Sequence, residues 1–144
     1  MNLFFYGTLR AEQVRSAVLG AHAALLQLEP ATLSGYEVRR VDGALYPMIC
    51  AAGDDADSLV EGLVLRQPSQ AVITLLDRFE GVHYHRKIVD INVAAGSEKA
   101  EIYCPDDSLI PAEIWVFEDW MKTAMDDFFA DEFSKDGVQP PRTG

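Results

Sequence analysis

The chain has 144 residues, of which 49% are hydrophobic, and it carries a formal net charge of −11. This length and composition are typical of one folded domain with a real core, and they exclude a disordered tail. The acidic balance argues against nucleic acid and anionic lipid, because a protein that binds either should supply cationic contacts to phosphates. We therefore predict that the protein binds neither nucleic acid nor a membrane.

The first residues and the cysteines predict a cytoplasmic location. The start lacks a basic segment, and its apolar run ends too soon for a signal peptide. No stretch approaches the ~18 apolar residues that a membrane-spanning helix needs. Cys50 and Cys104 are predicted to be free thiols in a reducing compartment, although the sequence leaves a disulfide between them open.

The first half of the sequence predicts short strands and one helix. Residues 3–6 form an apolar strand that ends at Gly7, and residues 10–19 follow as a helix that stops at Gly20. Residues 21–29 fit either a short helix or a loop. The remaining elements are a strand-like run at 31–41, a turn at Asp42-Gly43, a strand at 45–49 that completes a hairpin, and an acidic loop at 53–57.

The second half predicts a helix, a long hairpin and a C-terminal helix. A half-buried strand at 60–66 precedes a helix that begins after Ser69 and ends at Gly81, since glycine suits the left-handed position beyond a helix. The later elements are strands at 83–93 and 100–104 that pair across Gly96, a strand-like run at 114–117, and an amphipathic helix at 118–135. We expect a single domain over residues 1–137 and a loose tail at 138–144.

Two short motifs carry the chemistry that the sequence indicates. The first, Tyr6-Gly7-Thr8-Leu9, lies where a strand turns into a helix and presents backbone N–H groups that can hold an anionic or carbonyl oxygen. The second places Glu80 directly before Gly81, at a helix C-terminus. The negative end of the helix dipole and apolar neighbours should both raise the pKa of this carboxyl.

In order and spacing, these motifs resemble the gamma-glutamylcyclotransferase-like superfamily, in the branch of gamma-glutamylamine cyclotransferases and avirulence-induced plant proteins. That family carries a Tyr-Gly-Ser/Thr-Leu loop and a Leu-Asp-x-x-Glu-Gly segment followed by Tyr-x-Arg. The resemblance covers roughly residues 2–104 and implies an α+β fold, a small mixed β-barrel with helices packed around it. Further matching segments are Gly35-Tyr36, Tyr46-Pro47 and Val60-Glu61-Gly62.

The resemblance implies an enzyme that releases 5-oxoproline from a gamma-glutamyl amine or amide. The substrate's own α-amine attacks its γ-carbonyl, so the protein needs no nucleophile, metal or cofactor. Glu80 is the implied catalytic acid and base. The implied substrate-binding residues are Tyr6, Gly7, Thr8, Leu9 and Tyr84.

Several roles near these motifs stay open at this point. Tyr84 is expected to hydrogen-bond either Glu80 or the substrate, and Arg86 is expected to form an ion pair with Asp77 or Glu61. Arg10 suits a substrate carboxylate or plain solvation, and we leave it out of the site. The Tyr46-Pro47 pair suits a pocket wall or ordinary packing.

Other ligands and functions are less well supported. His83 and His85 share one face of a strand, but no third ligand lies at a helpful spacing, so we predict no metal. One alternative function is a non-catalytic module that binds a small molecule in the same pocket. Another is an interaction protein that uses the C-terminal helix. The sequence leaves the oligomeric state open.

Overall fold

The computed structural model describes residues 1–53 and 57–133. Most of the predicted acidic loop, the last residues of the predicted C-terminal helix, the boundary at 137 and the tail at 138–144 lie outside the described residues. The described strands are β1 (Leu3–Phe5), β2 (Leu28–Ser34), β3 (Tyr36–Val41), β4 (Pro47–Ala51), β5 (Leu59–Leu65), β6 (Tyr84–Val93), β7 (Gly96–Pro105) and β8 (Pro111–Ile114).

The strands form a closed barrel and a separate three-stranded sheet. The barrel order is β1-β5-β2-β6-β7, and β7 closes on β1 through a parallel pairing at Leu3 and Glu101. The long hairpin β6–β7 is antiparallel along its whole length, with Arg86 opposite Tyr103. The second sheet has the order β4-β3-β8. This arrangement confirms the predicted α+β fold with a mixed barrel.

Helices surround the barrel. Two 3₁₀ segments, Thr8–Arg10 and Gly20–Leu25, flank the first α-helix. A π-helical segment at Phe128–Phe133 ends the described chain. The α-helices are α1 (Glu12–Leu19), α2 (Gln70–Glu80), α3 (Phe117–Thr123) and α4 (Met125–Asp127). No described helix is long and apolar enough to cross a membrane.

The core has two layers that follow from strand alternation. Alternate side chains of the barrel strands, such as Phe4 and Ile91, form one buried cluster in the barrel interior. Their sequence neighbours on the strands face outward, as Phe5 does. These side chains pack against the apolar faces of α1 and α2, which include Leu76. Gly62 lies at a close approach between strands, because a Cβ there would be 2.2 Å from the carbonyl oxygen of Phe5.

Two elements that we predicted as continuous are each interrupted in the structure. The run at 31–41 is broken at Gly35, which has φ = 84°, so its halves enter different sheets as β2 and β3. The predicted helix at 118–135 is interrupted at Ala124, whose φ of −124° is not helical, and it continues as α4 and the π-helical segment. The thiols of Cys50 and Cys104 are both free, as predicted.

Candidate active site

The end of α2 holds the carboxyl group that the sequence singles out. The Ser69 side chain caps the start of this helix by accepting a hydrogen bond from the Val72 N–H at 3.2 Å. At the other end, Gly81 adopts φ = 81° and donates its N–H to the Asp77 carbonyl at 3.0 Å. The predicted glycine stop is therefore confirmed, and it makes Glu80 the last residue of the helix.

Glu80 is a buried acid with an unsatisfied oxygen. The residue is 4% exposed, and its Oε2 has no hydrogen-bond partner among the described residues. Burial raises the pKa of the Glu80 carboxyl well above its ordinary value of 4.5, and the nearby negative charge of Asp77 raises it further. Such a carboxyl stays protonated at a higher pH than usual and is a stronger base once ionised.

Three buried tyrosines lie around this carboxyl. Burial raises the pKa of Tyr6, Tyr84 and Tyr103, and the charge of Glu80 raises the pKa of each tyrosine further. The Tyr6 hydroxyl donates to the Tyr103 carbonyl at 2.7 Å, and the Tyr84 hydroxyl donates to the Pro47 carbonyl at 3.0 Å. Tyr84 therefore bonds Pro47 in this structure, where we had expected Glu80 or a substrate.

The Tyr6–Leu9 loop is wholly buried and tightly turned. Gly7 precedes the 3₁₀ segment, and its carbonyl accepts the Arg10 N–H at 3.0 Å. This segment displaces the start of α1 to Glu12, two residues later than predicted. A Cβ on Gly7 would lie 2.9 Å from Cγ of Pro47. Pro47 therefore contacts both the loop and Tyr84, which places it in the same cluster as these predicted site residues.

A polar network supports the end of α2. Arg86 Nε lies 3.1 Å from Oδ1 of Asp77, and its Nη1 lies 3.1 Å from Oε1 of Glu101. The Asp77 pairing confirms one of the two expected partners, and Glu101 takes the place of Glu61. The Tyr103 hydroxyl donates to the same Asp77 oxygen at 2.8 Å. Tyr103 was missed because only the β6–β7 register, which places it opposite Arg86, shows its position.

The contacts of His83 lie with the chain that follows β7. Nδ1 of His83 lies 3.1 Å from Oδ2 of Asp106. Hydrogen bonds from the side chains of Ser108 and, to a smaller extent, His83 lower the pKa of the Asp106 carboxyl. The described residues contain no group of three or more His, Cys, Asp or Glu side chains placed to hold a metal ion.

A cleft of about 480 Å³ borders Tyr6 on the surface. We call it the Tyr6 cleft, and its walls come mainly from β3, β5 and the chain from the end of β8 to the start of α3. Arg10 reaches it from the end of the loop, with its guanidinium 4.3 Å above the ring centre of Phe117. Its lining residues are Tyr6, Arg10, Glu37, Val38, Ser58, Leu59, Val60, Glu61, Ile114, Trp115, Val116, Phe117 and Glu118.

The fold and these residues define a small barrel protein in which Glu80 is the one buried carboxyl among the described residues. Its residues 3–122 match the family model described as gamma-glutamyl cyclotransferase, AIG2-like. The chain belongs to this family, which confirms the resemblance seen in the sequence. The family match supports a function of the cyclotransferase type.

Similar proteins agree with this assignment. The chain is 32% identical to AIG2-like protein C of Arabidopsis thaliana over 132 residues, which cover 88% of this chain and 73% of that protein. A solution structure from the same plant matches with a TM-score of 0.65 and 26% identity over 90% of this chain and 77% of that chain. A mouse AIG2-like protein shares the fold, with a TM-score of 0.54 and 17% identity over 80% of this chain and 87% of that chain.

Proposed function

We propose that this protein releases 5-oxoproline from a gamma-glutamyl amine or amide, with Glu80 as the catalytic acid and base. The observation that carries the proposal is the unpartnered, buried carboxyl oxygen of Glu80 at the end of α2. A buried acid without a partner costs stability, and such groups are concentrated at catalytic sites. Family membership supplies the reaction class.

The reaction moves two protons from the α-nitrogen to the leaving nitrogen and closes one ring. The Glu80 carboxylate takes a proton from the substrate's α-ammonium, and the freed amine forms a bond to its own γ-carbonyl carbon. The tetrahedral oxyanion then collapses, the bond to the leaving nitrogen breaks, and Glu80 returns its proton to that nitrogen. The ring nitrogen loses its second proton to the released amine through the same carboxyl, so the products are 5-oxoproline and an ammonium ion. The raised pKa of the Glu80 carboxyl suits these transfers, because it brings the pKa of the carboxyl closer to that of the substrate's ammonium.

The loop and the tyrosines have supporting roles in this proposal. Tyr6, Gly7, Thr8 and Leu9 hold the glutamyl head and stabilise the oxyanion through backbone N–H groups. Tyr84 closes the site through its bond to Pro47. We place the reaction in the cytoplasm as part of the proposal, because both cysteines are free thiols.

The geometry favours turnover over a module that only binds. A binding role would be supported by a Glu80 fully paired with Arg86. Arg86 instead pairs with Asp77 and Glu101, and Oε2 of Glu80 has no partner in the part of the chain that the structure describes.

The test measures 5-oxoproline release by chromatography. The compounds are gamma-glutamyl-lysine, gamma-glutamyl-alanine, gamma-glutamyl-butylamide and glutathione. Release from at least one compound supports the proposal. No release from any of them, together with measurable binding, would support the binding module instead.

A further inference from the structure

The Tyr6 cleft has an apolar rim. Among the described residues, three of the large apolar side chains that remain exposed line this one cleft: Leu59 at 55%, Ile114 at 50% and Val116 at 45%. Trp115 and Phe117 add aromatic surface. An apolar patch that lines a cavity is typical of a binding site, whereas scattered apolar residues need no explanation.

The charges in the cleft are mostly negative. Its lining includes the carboxylates of Glu37, Glu61 and Glu118, and Arg10 is the one cation among the described lining residues. Glu37 forms an ion pair with Arg39. Glu61 and Glu118 line the same cleft as the Arg10 guanidinium. Two carboxylates are therefore balanced by one cation, which leaves excess negative charge at an apolar rim.

One further observation connects the cleft with the proposed reaction centre. Tyr6 lines the cleft and also belongs to the Tyr6–Leu9 loop. Its hydroxyl donates to the Tyr103 carbonyl at 2.7 Å, and the Tyr103 hydroxyl donates to Asp77 near the end of α2 at 2.8 Å. The cleft therefore adjoins the proposed reaction centre.

We propose that the Tyr6 cleft receives the leaving amine of the substrate and selects amines with an apolar chain and no carboxylate, with preference for a cationic far end. This inference rests on the proposed function and names its substrate class. The apolar rim contacts the chain, and Glu61 and Glu118 attract a distal ammonium. A leaving group that carries a carboxylate meets the same two carboxylates and is repelled. One uncompensated like charge at a partly exposed site is worth about tenfold in kcat/KM.

The test compares three substrates that share a five-carbon chain. They are gamma-glutamyl-pentylamine, gamma-glutamyl-cadaverine and ε-(gamma-glutamyl)-lysine, and the last two differ only by the carboxylate of lysine. We expect kcat/KM to be highest for the cadaverine compound and about tenfold lower for the lysine compound. Equal values for these two, or a preference for lysine, would overturn the inference and leave the proposed function intact.

Variants of the cleft carboxylates test the cause. In a double variant with Glu61→Gln and Glu118→Gln, the ratio of cadaverine to lysine turnover should fall about tenfold, while the pentylamine compound should change little. The matched control is Glu12→Gln, an exposed carboxylate on α1 outside the cleft lining, which should leave the ratio unchanged. An unchanged ratio in the double variant would overturn the inference.

A failure of turnover is distinguishable from a failure of selection. If the wild-type protein releases 5-oxoproline from none of the three compounds, the proposed function fails. Equilibrium binding of the same compounds then tests the cleft. The same order of affinities supports the inference, and equal affinities overturn it.

Discussion

Replacement of the buried acid should stabilise the protein at neutral pH. The pKa of Glu80 is raised in the folded protein above 4.5, its ordinary value and the one expected in the unfolded chain. Below pH 4.5 both states hold the proton, so the full stability is present. As the pH rises, the unfolded state loses its proton first, and the folded state loses stability until the pH passes the folded pKa. Glu80→Gln removes this loss.

The pH dependence of the stability difference between the two proteins is set by the titration of one proton. The free energy of unfolding of Glu80→Gln minus that of wild type should rise by about 1.4 kcal/mol per pH unit above pH 4.5 and then level off. Other carboxylates whose pKa values shift on folding, such as Asp106 and Glu113, cancel in this difference because they are present in both proteins.

The assay is urea unfolding at pH 5, 6, 7 and 8, followed by tryptophan fluorescence, since Trp120 is buried in the folded protein. Glu12→Gln is the control, because an exposed carboxylate should give a difference that is independent of pH. Parallel curves for wild type and Glu80→Gln would refute the reasoning, because they would mean that Glu80 titrates alike in the folded and unfolded states.

Three other substitutions test separate contacts. Gly62→Ala should cost about 3 kcal/mol in the free energy of unfolding, measured in urea, because its Cβ would be 2.2 Å from the backbone oxygen of Phe5. Gly7→Ala should lower 5-oxoproline release by about tenfold or more, because its Cβ would be 2.9 Å from Cγ of Pro47 and must move the ring or the loop. Asp77→Asn should lower the pKa of the Glu80 carboxyl, since it removes a nearby negative charge. The acidic limb of the pH–rate profile should then move to lower pH, because Glu80 must start as the carboxylate.

Each of these has a clear contrary result. Unchanged stability in the Gly62 variant would mean that the barrel strands can separate at no cost. Unchanged activity in the Gly7 variant would show that the Tyr6–Leu9 loop takes no part in the reaction. A pH–rate profile that stays in place or moves to higher pH in the Asp77 variant would show that the carboxylate of Asp77 does not raise the pKa of Glu80.

Local signals in the sequence predicted much of this structure. The glycine stop of α2, the alternation of β5 and the β6–β7 hairpin depend on neighbouring residues, and all were predicted. Gly35 was missed as a strand break, because the apolar alternation continues on both sides of it. The interruption at Ala124 was also missed, since Trp120 and Phe128 are buried and the apolar stripe looks continuous through them.

The site depends on contacts that are distant in sequence. The helix end and the Tyr6–Leu9 loop were predicted as motifs. The hydrogen bond from Tyr84 to Pro47 joins residues 37 positions apart, and that from Tyr6 to Tyr103 joins residues 97 apart. Such pairings follow from barrel closure and strand register, which one sequence does not reveal.

The central claim is that Glu80 moves the protons of the cyclisation. The most direct measurement is the rate of 5-oxoproline release by wild type and Glu80→Gln on the best substrate, with both proteins shown to be folded by circular dichroism. The account predicts turnover by wild type and a loss of about 10²–10⁴-fold in the variant, the usual worth of a positioned acid or base. Equal rates in the two folded proteins would contradict it.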